Sequence, residues 1–188
     1  QGCLWFEGSV YAAAPPSLWK FTDADGDGVA EKREERFIHG LITHCGNDIH
    51  GPYAGLGGWI YWTKGAFERL SLTDGAGKPI NDKAAHIFRS RPDGTGLEHV
   101  MSGGMDNPVE VAFAPSGEVF FTSTFMDFSR PGTRDGLGHA AYGSVFGKIN
   151  DVNTELKRTG DILLPMTHFG AGAPSGLCRY RGTALGMS

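Results

Sequence analysis

Short runs of apolar and β-branched residues, broken by glycine and polar turns, dominate the chain, and three of them share one layout. "GSVYAAAPPSLWKF" from Gly8, "GWIYWTKGAF" from Gly58 and "GEVFFTSTFMD" from Gly117 each place a β-branched residue two positions after a glycine and an aromatic next: Val10-Tyr11, Ile60-Tyr61 and Val119-Phe120. The β-branched positions lie 50 and 59 residues apart, which fits propeller-blade periods of roughly 40 to 50 residues with room for insertions. A second strand follows in each unit. It carries an apolar-aromatic-basic signature in Leu18-Trp19-Lys20 and Ile87-Phe88-Arg89, and the third unit leads to "SVFGKIN" from Ser144. "DNPVEVAFAPSGEVFFT" from Asp106 predicts strand, Pro-Ser-Gly turn and strand; "HGPYAGLGGWIYWT" from His50 repeats that layout, and "APSGLCRY" from Ala173 reads as the opening of a further copy. "RPDGTGLEHV" from Arg91 reads as a hairpin turn. Helical periodicity is scarce. "EKREERFIHGL" has room for a turn or two, but its run into Phe37-Ile38 reads equally well as a returning strand.

Composition strengthens the all-β reading. The 188 residues hold 29 glycines, about twice the average share, and 12 phenylalanines. The expected fold is therefore an all-β propeller, represented by a fragment of three to four blades, because a ring of the usual size needs four to eight. We expect one partial propeller domain over residues 1–188, cut at both ends, since it opens "QGCLWFEGSV" without a start Met or a signal pattern.

Charge and cysteine usage exclude several classes. Seventeen basic against 21 acidic residues give a net charge of -4, so the basic face that nucleic acid requires is not expected. No apolar window is long enough for a membrane span in this segment. Cys3, Cys45 and Cys178 form no CxxC, so neither a zinc ribbon nor a covalent haem site is encoded; they read as structural or incidental, with one disulfide as the alternative. The runs "AGLGG" and "FGAGAPSG" lack the Lys-Ser/Thr of a phosphate loop. No Gly-x-Ser-x-Gly elbow appears, and hydrolysis by a serine nucleophile is not expected.

One stretch carries concentrated chemistry. "DADGDGVAEKRE" from Asp23 sets acidic residues at positions 1, 3, 5, 9 and 12 with glycine at 6, the spacing of an EF-hand calcium loop. Asp23, Asp25, Asp27, the carbonyl of Val29 and either Glu31 or Glu34 are the candidate ligands. The preceding "SLWKF" is strand-like, so a calcium-bound hairpin between strands is expected rather than a helix-loop-helix unit. The alternative is a solvated acidic turn.

"VYAAAPPSLWKFTDADGDGVAEKREERFIHGL", "IHGPYAGLGGWIYWTKGAF" and "FRSRPDGTGLEHVMSGGMDNPVEVAFAPSGEVFFT" together resemble the β-propeller of bacterial putative membrane-bound dehydrogenases. These are relatives of the soluble quinoprotein glucose/sorbosone dehydrogenases. The resemblance implies an NHL or quinoprotein glucose dehydrogenase type of propeller, exported to the periplasm or otherwise outside the cytoplasm. It also implies oxidation of a sugar or polyol with pyrroloquinoline quinone (PQQ) and calcium. A cytochrome c-type haem domain elsewhere in the full-length chain is a further implied partner. His50, ahead of the Gly-Trp-Ile-Tyr strand, would be the base that takes the hydroxyl proton. The usual Gly-Pro-Asp turn is replaced here by "LGG", and the full set of basic residues that would hold the quinone is not found.

Other candidates follow from a convergence of blade loops at one end of the propeller. His44, His50, His139 and His168, four of the seven histidines, sit in predicted loops. His139 and Arg134 join His50 as catalytic candidates, and His168 and Asp135 as cofactor-binding ones, with Arg134-Asp135 equally readable as a local ion pair. Trp59, Tyr61, Trp62, Phe120 and Phe121 are expected as core between blades, with sugar stacking open to any ring that faces a channel. The rival function is a non-catalytic propeller that binds a glycan or protein partner through its loop face.

Overall fold

The computed structural model describes residues 2–37, 49–127 and 132–186, and it is all-β: several sheets, none of them closed, with no α-helix among the described residues. The first sheet is an antiparallel meander of β1 (Gly2–Phe6), β2 (Ser9–Ala14), β3 (Ser17–Thr22) and β4 (Lys32–Phe37). The second starts with β5 (Ile49–Ala54) and β6 (Ile60–Lys64). After a side hairpin of β7 (Leu70–Thr73) and β8 (Pro79–Asp82), it continues with β9 (Ala85–Ser90) and β10 (Glu98–Gly103). The third contains β11 (Asn107–Phe113), β12 (Val119–Thr124) and β13 (Asp135–His139). Next in the chain, β14 (Ser144–Phe146) pairs in parallel with β10 of the second sheet, before β15 (Thr167–Gly170) closes the third. The leading strands β1, β5 and β11 pack in succession, β5 against each of the other two.

The repeat seen in the sequence is the repeat of these sheets. Val10, Ile60 and Val119 fall on β2, β6 and β12, the second strand of each meander, while Trp19 and Phe88 fall on the third strands β3 and β9. The Pro-Ser-Gly turn joins β11 to β12, with Ala114 N donating to Glu118 O at 2.9 Å. Arg91 to Gly96 turn β9 into β10, with Arg91 N on Thr95 O at 2.8 Å. The acidic stretch is the β3–β4 connection, and "KREERF" returns as strand rather than helix.

Two sequence expectations are corrected. Ser144–Phe146 is not the third strand of the third unit; that strand is Asp135–His139, "DGLGH", which was expected as a loop because of its glycines. Those glycines are required by packing: a Cβ on Gly138 would come within 2.4 Å of the Phe121 ring, and one on Gly136 within 2.4 Å of Thr167 O. Ala173–Tyr180 opens no further strand. Residues 172–182 join no ladder, and Leu177 to Arg179 lie beside Phe113, Phe120 and Leu137.

Two cores explain why the second-sheet strands read as continuous apolar runs: both of their faces are covered. One face sends Tyr61, Ile87 and Met101 toward Val111, Val119 and Phe121 of the third sheet. The other sends Ile49, Trp62 and Phe88 toward Ala13 and Leu18 of the first, with Leu70 and Ile80 of the side hairpin completing the cluster. Trp62 is fully buried and stacks on Phe88 with centroids 4.3 Å apart. As expected, Tyr61, Trp62 and Phe121 are core. Trp59 is half-buried beneath the guanidiniums of Arg91 and Arg89, at 3.8 and 4.4 Å.

Candidate metal centre

The β3–β4 connection folds its acidic side chains inward on its own backbone. Gly26 N donates to Asp23 Oδ1 at 2.6 Å and Gly28 N to Asp23 Oδ2 at 2.9 Å; both glycines have positive φ, which lets the chain turn tightly around that carboxylate. Asp27 N reaches Asp25 Oδ1 at 3.2 Å, Val29 N reaches Asp27 Oδ1 at 2.7 Å, and Ala24 N reaches Glu31 Oε2 at 2.6 Å. The outcome is convergence: Asp23, Asp25, Asp27 and Glu31 each offer an oxygen, and these atoms lie within 4.8 Å of one another.

Four like charges at such separations repel, by about 1 kcal/mol per pair even at the dielectric of water. The amide donors offset part of this, and a hard cation that takes six to eight oxygens would offset the rest. The donor set, all carboxylate with no nitrogen or sulfur, fits calcium. Glu34 lies outside the group. It sits on β4, where Lys32 (3.0 Å) and Arg36 (2.9 Å) pair with it and hold its carboxyl below the usual range. Of the two glutamates, Glu31 lies in the acidic group and Glu34 does not. Val29 enters through its amide, with an exposed side chain.

The histidine and arginine candidates are dispersed: His50, His139 and His168 lie on strands rather than in loops, and Arg134 lies in the bend that leads into β13. His50 is half-buried near the start of β5. His139 ends β13, stacks on Phe120 at 5.2 Å and approaches Glu118 at 3.8 Å. His168 is exposed on β15 opposite Gly136. His44 and Cys45 lie outside the described residues, and Cys3 and Cys178 are free and exposed. Arg134 and Asp135 form the local ion pair: Asp135 is fully buried and accepts from Arg134 Nε (2.8 Å), Phe125 N (3.3 Å) and Ala173 N (2.6 Å). Burial alone would raise the Asp135 pKa, but the Arg134 hydrogen bond and the two amides outweigh it and hold it low. Asp135 and His139 stand at opposite ends of one strand, about 13 Å apart at 3.3 Å per residue. They do not meet at one mouth.

A tricarboxylate such as PQQ needs several cations with free N–H groups. Arg134 is directed at Asp135 and Lys148 at Asp106 (2.8 Å), while Lys64 donates to Glu68 O and to Ala84 O (3.3 Å). Arg134, Lys148 and Lys64 are therefore committed to partners within the chain.

Lys64 and His86 carried no role in the sequence reading, yet both are buried and hydrogen-bonded at the side-hairpin end of the second sheet. Burial pushes Lys64 down to about 8. Strand alternation alone would have marked a lysine after the apolar run "IYWT", but not its partners.

The family described as "Domain of unknown function (DUF7133)" matches residues 1–152. No curated protein and no solved structure matches the chain. No helix among the described residues is long and apolar enough to cross a membrane.

Proposed function

We propose, for a chain that belongs to the DUF7133 family, that its three larger sheets are blades of an exported, quinoprotein-like β-propeller acting as a calcium-stabilised binding module. Its partner would be a protein or a glycan. The observation that carries this reading is the convergence of Asp23, Asp25, Asp27 and Glu31 within 4.8 Å on one hairpin. Three meanders whose leading strands pack in succession support the blade assignment. A protein partner is favoured over a sugar because Trp59 lies beneath two guanidiniums, whereas Leu164, Met166 and Phe169 stand exposed close together in the chain. Calorimetric titration with Ca2+ tests the reading: saturable binding that disappears in Asp25→Ala supports it, and no heat in the wild type refutes it.

Oxidation of a sugar or polyol, with a haem domain as the electron partner, is the second reading. Its support is the place of His50 near the start of a leading strand. Quinone-dependent turnover of a carbohydrate, lost on His50→Ala, would establish it over the binding role.

A further inference from the structure

The second sheet and its side hairpin bring together three residues that are scattered in the sequence. His86 on β9 and Ser102 on β10 are cross-strand partners in register. Ser102 Oγ lies 2.8 Å from His86 Nδ1, and His86 Nε2 lies 2.8 Å from Asp82 Oδ1 at the end of β8. His86 is 1% exposed and Ser102 6%. A carboxylate on one ring nitrogen fixes the tautomer, so the Nε2 proton faces Asp82 and Nδ1 is free to accept the serine proton. Hydroxyl, imidazole and carboxylate in such a chain activate a nucleophile, an arrangement recognised by geometry and not by position in the chain.

The relay opens on a cavity. Ser102 and Asp82 line a space of about 320 Å³ together with His99, Ser144, Lys78, Lys157 and Glu155, whose carboxylate is taken up by Arg69 at 2.8 Å. Two features of that space suit a reacting acyl group. Ser144 Oγ is buried with no hydrogen-bond partner, and the ammonium groups of Lys78 and Lys157 pair with no carboxylate among the described residues. An unsatisfied hydroxyl and two unpaired cations beside an activated serine can stabilise a developing oxyanion and hold a negatively charged substrate.

We propose that Ser102, His86 and Asp82 form an acyl-transfer site that hydrolyses small carboxylic esters bearing a negative charge. Ser102 Oγ bonds to the acyl carbon while His86 Nδ1 takes its proton, and the bond to the leaving oxygen breaks as that oxygen receives the proton from Nδ1. Water then attacks the acyl-serine, gives a proton to Nδ1, and the carboxylic acid departs as Ser102 Oγ is reprotonated. Asp82 is a positioning residue that holds the imidazole. Lys78 and Lys157 select the anionic ester, and the cavity size limits the substrate to a small acyl group. Serine chemistry is not expected from the linear sequence because no elbow motif flanks Ser102; the relay exists only once β8, β9 and β10 are assembled.

The test is labelling with a fluorophosphonate probe, with the modified residue located by mass spectrometry, alongside hydrolysis of p-nitrophenyl acetate and mono-p-nitrophenyl succinate. Expected are a label on Ser102, a preference for the succinate of about tenfold in kcat/KM that Lys157→Ala removes, and about a 100-fold loss of turnover in Ser102→Ala and in His86→Gln. A thermal melt checks that each variant is folded, and labelling of the wild type does not depend on any variant. No label on Ser102, or turnover unchanged in a folded Ser102→Ala, overturns the site. Equal turnover of the two esters overturns the assigned substrate class.

Discussion

The acidic hairpin and the buried polar group of the second sheet solve opposite electrostatic problems. From Asp23 to Glu31 the charges have one sign, sit near the surface and are adjacent in sequence; the backbone supplies partial positive charge, and neutrality needs a cation from outside. Around His86 the charges have both signs, with His86 and Lys64 buried and Asp82 at the edge of a cavity. There Asp82 faces His86, with Lys64 close enough to help hold the Asp82 carboxyl down, so the group carries its own counterions. The difference teaches where each region is vulnerable. The hairpin is open to ions from the solvent, and the buried group is exposed to any change in its own members.

The sharpest way to break the comparison is Asp82→Ala. It leaves the Nε2 proton of the buried His86 without its acceptor, and stability should fall by about 3 kcal/mol, read as a lower urea midpoint with the slope unchanged. An undisturbed midpoint would mean that the group is not a closed unit.

Lys64 gives the next largest effect, and it depends on pH. Its pKa falls from 10.5 unfolded to about 8 folded, so between those values the unfolded state holds the proton and the folded state does not. Stability from this group therefore rises with pH across that window, by roughly 3 kcal/mol. The stability difference between wild type and Lys64→Met should shift by that amount between pH 8 and 10.5 in denaturation series. A flat difference would show that the ammonium is well solvated.

The hairpin should respond to the solvent instead. With calcium at about 100 times its Kd, stability should rise by about 2.7 kcal/mol, seen as a higher Tm in wild type and no change in Asp25→Ala. The smallest effect sharpens the contrast through its sign. Without metal, Asp25→Asn should stabilise slightly, because one like charge leaves the group, whereas Asp82→Ala destabilises under all ionic conditions. A destabilised, metal-free Asp25→Asn would mean that the Asp27 amide bond to Asp25 outweighs the repulsion.

The sequence by itself determined what depends on neighbours a few residues apart. Strand alternation and turn residues placed Val10, Ile60 and Val119 on equivalent strands, because side-chain periodicity and turn stereochemistry are local. The convergence of Asp23, Asp25 and Asp27 was legible for the same reason: a short glycine-bearing turn forces adjacent carboxylates together whatever surrounds it. Choosing Glu31 over Glu34 required the tertiary structure, since only the onset of β4 at Lys32 gives Glu34 to Lys32 and Arg36. "DGLGH" became a strand because the Phe121 ring and the β15 backbone occupy the space that larger side chains would need, a constraint written elsewhere in the chain. The Asp82, His86 and Ser102 relay was likewise decided by strand pairing, because hydrogen bonds between residues 4 and 16 positions apart depend on β8, β9 and β10 being brought into register.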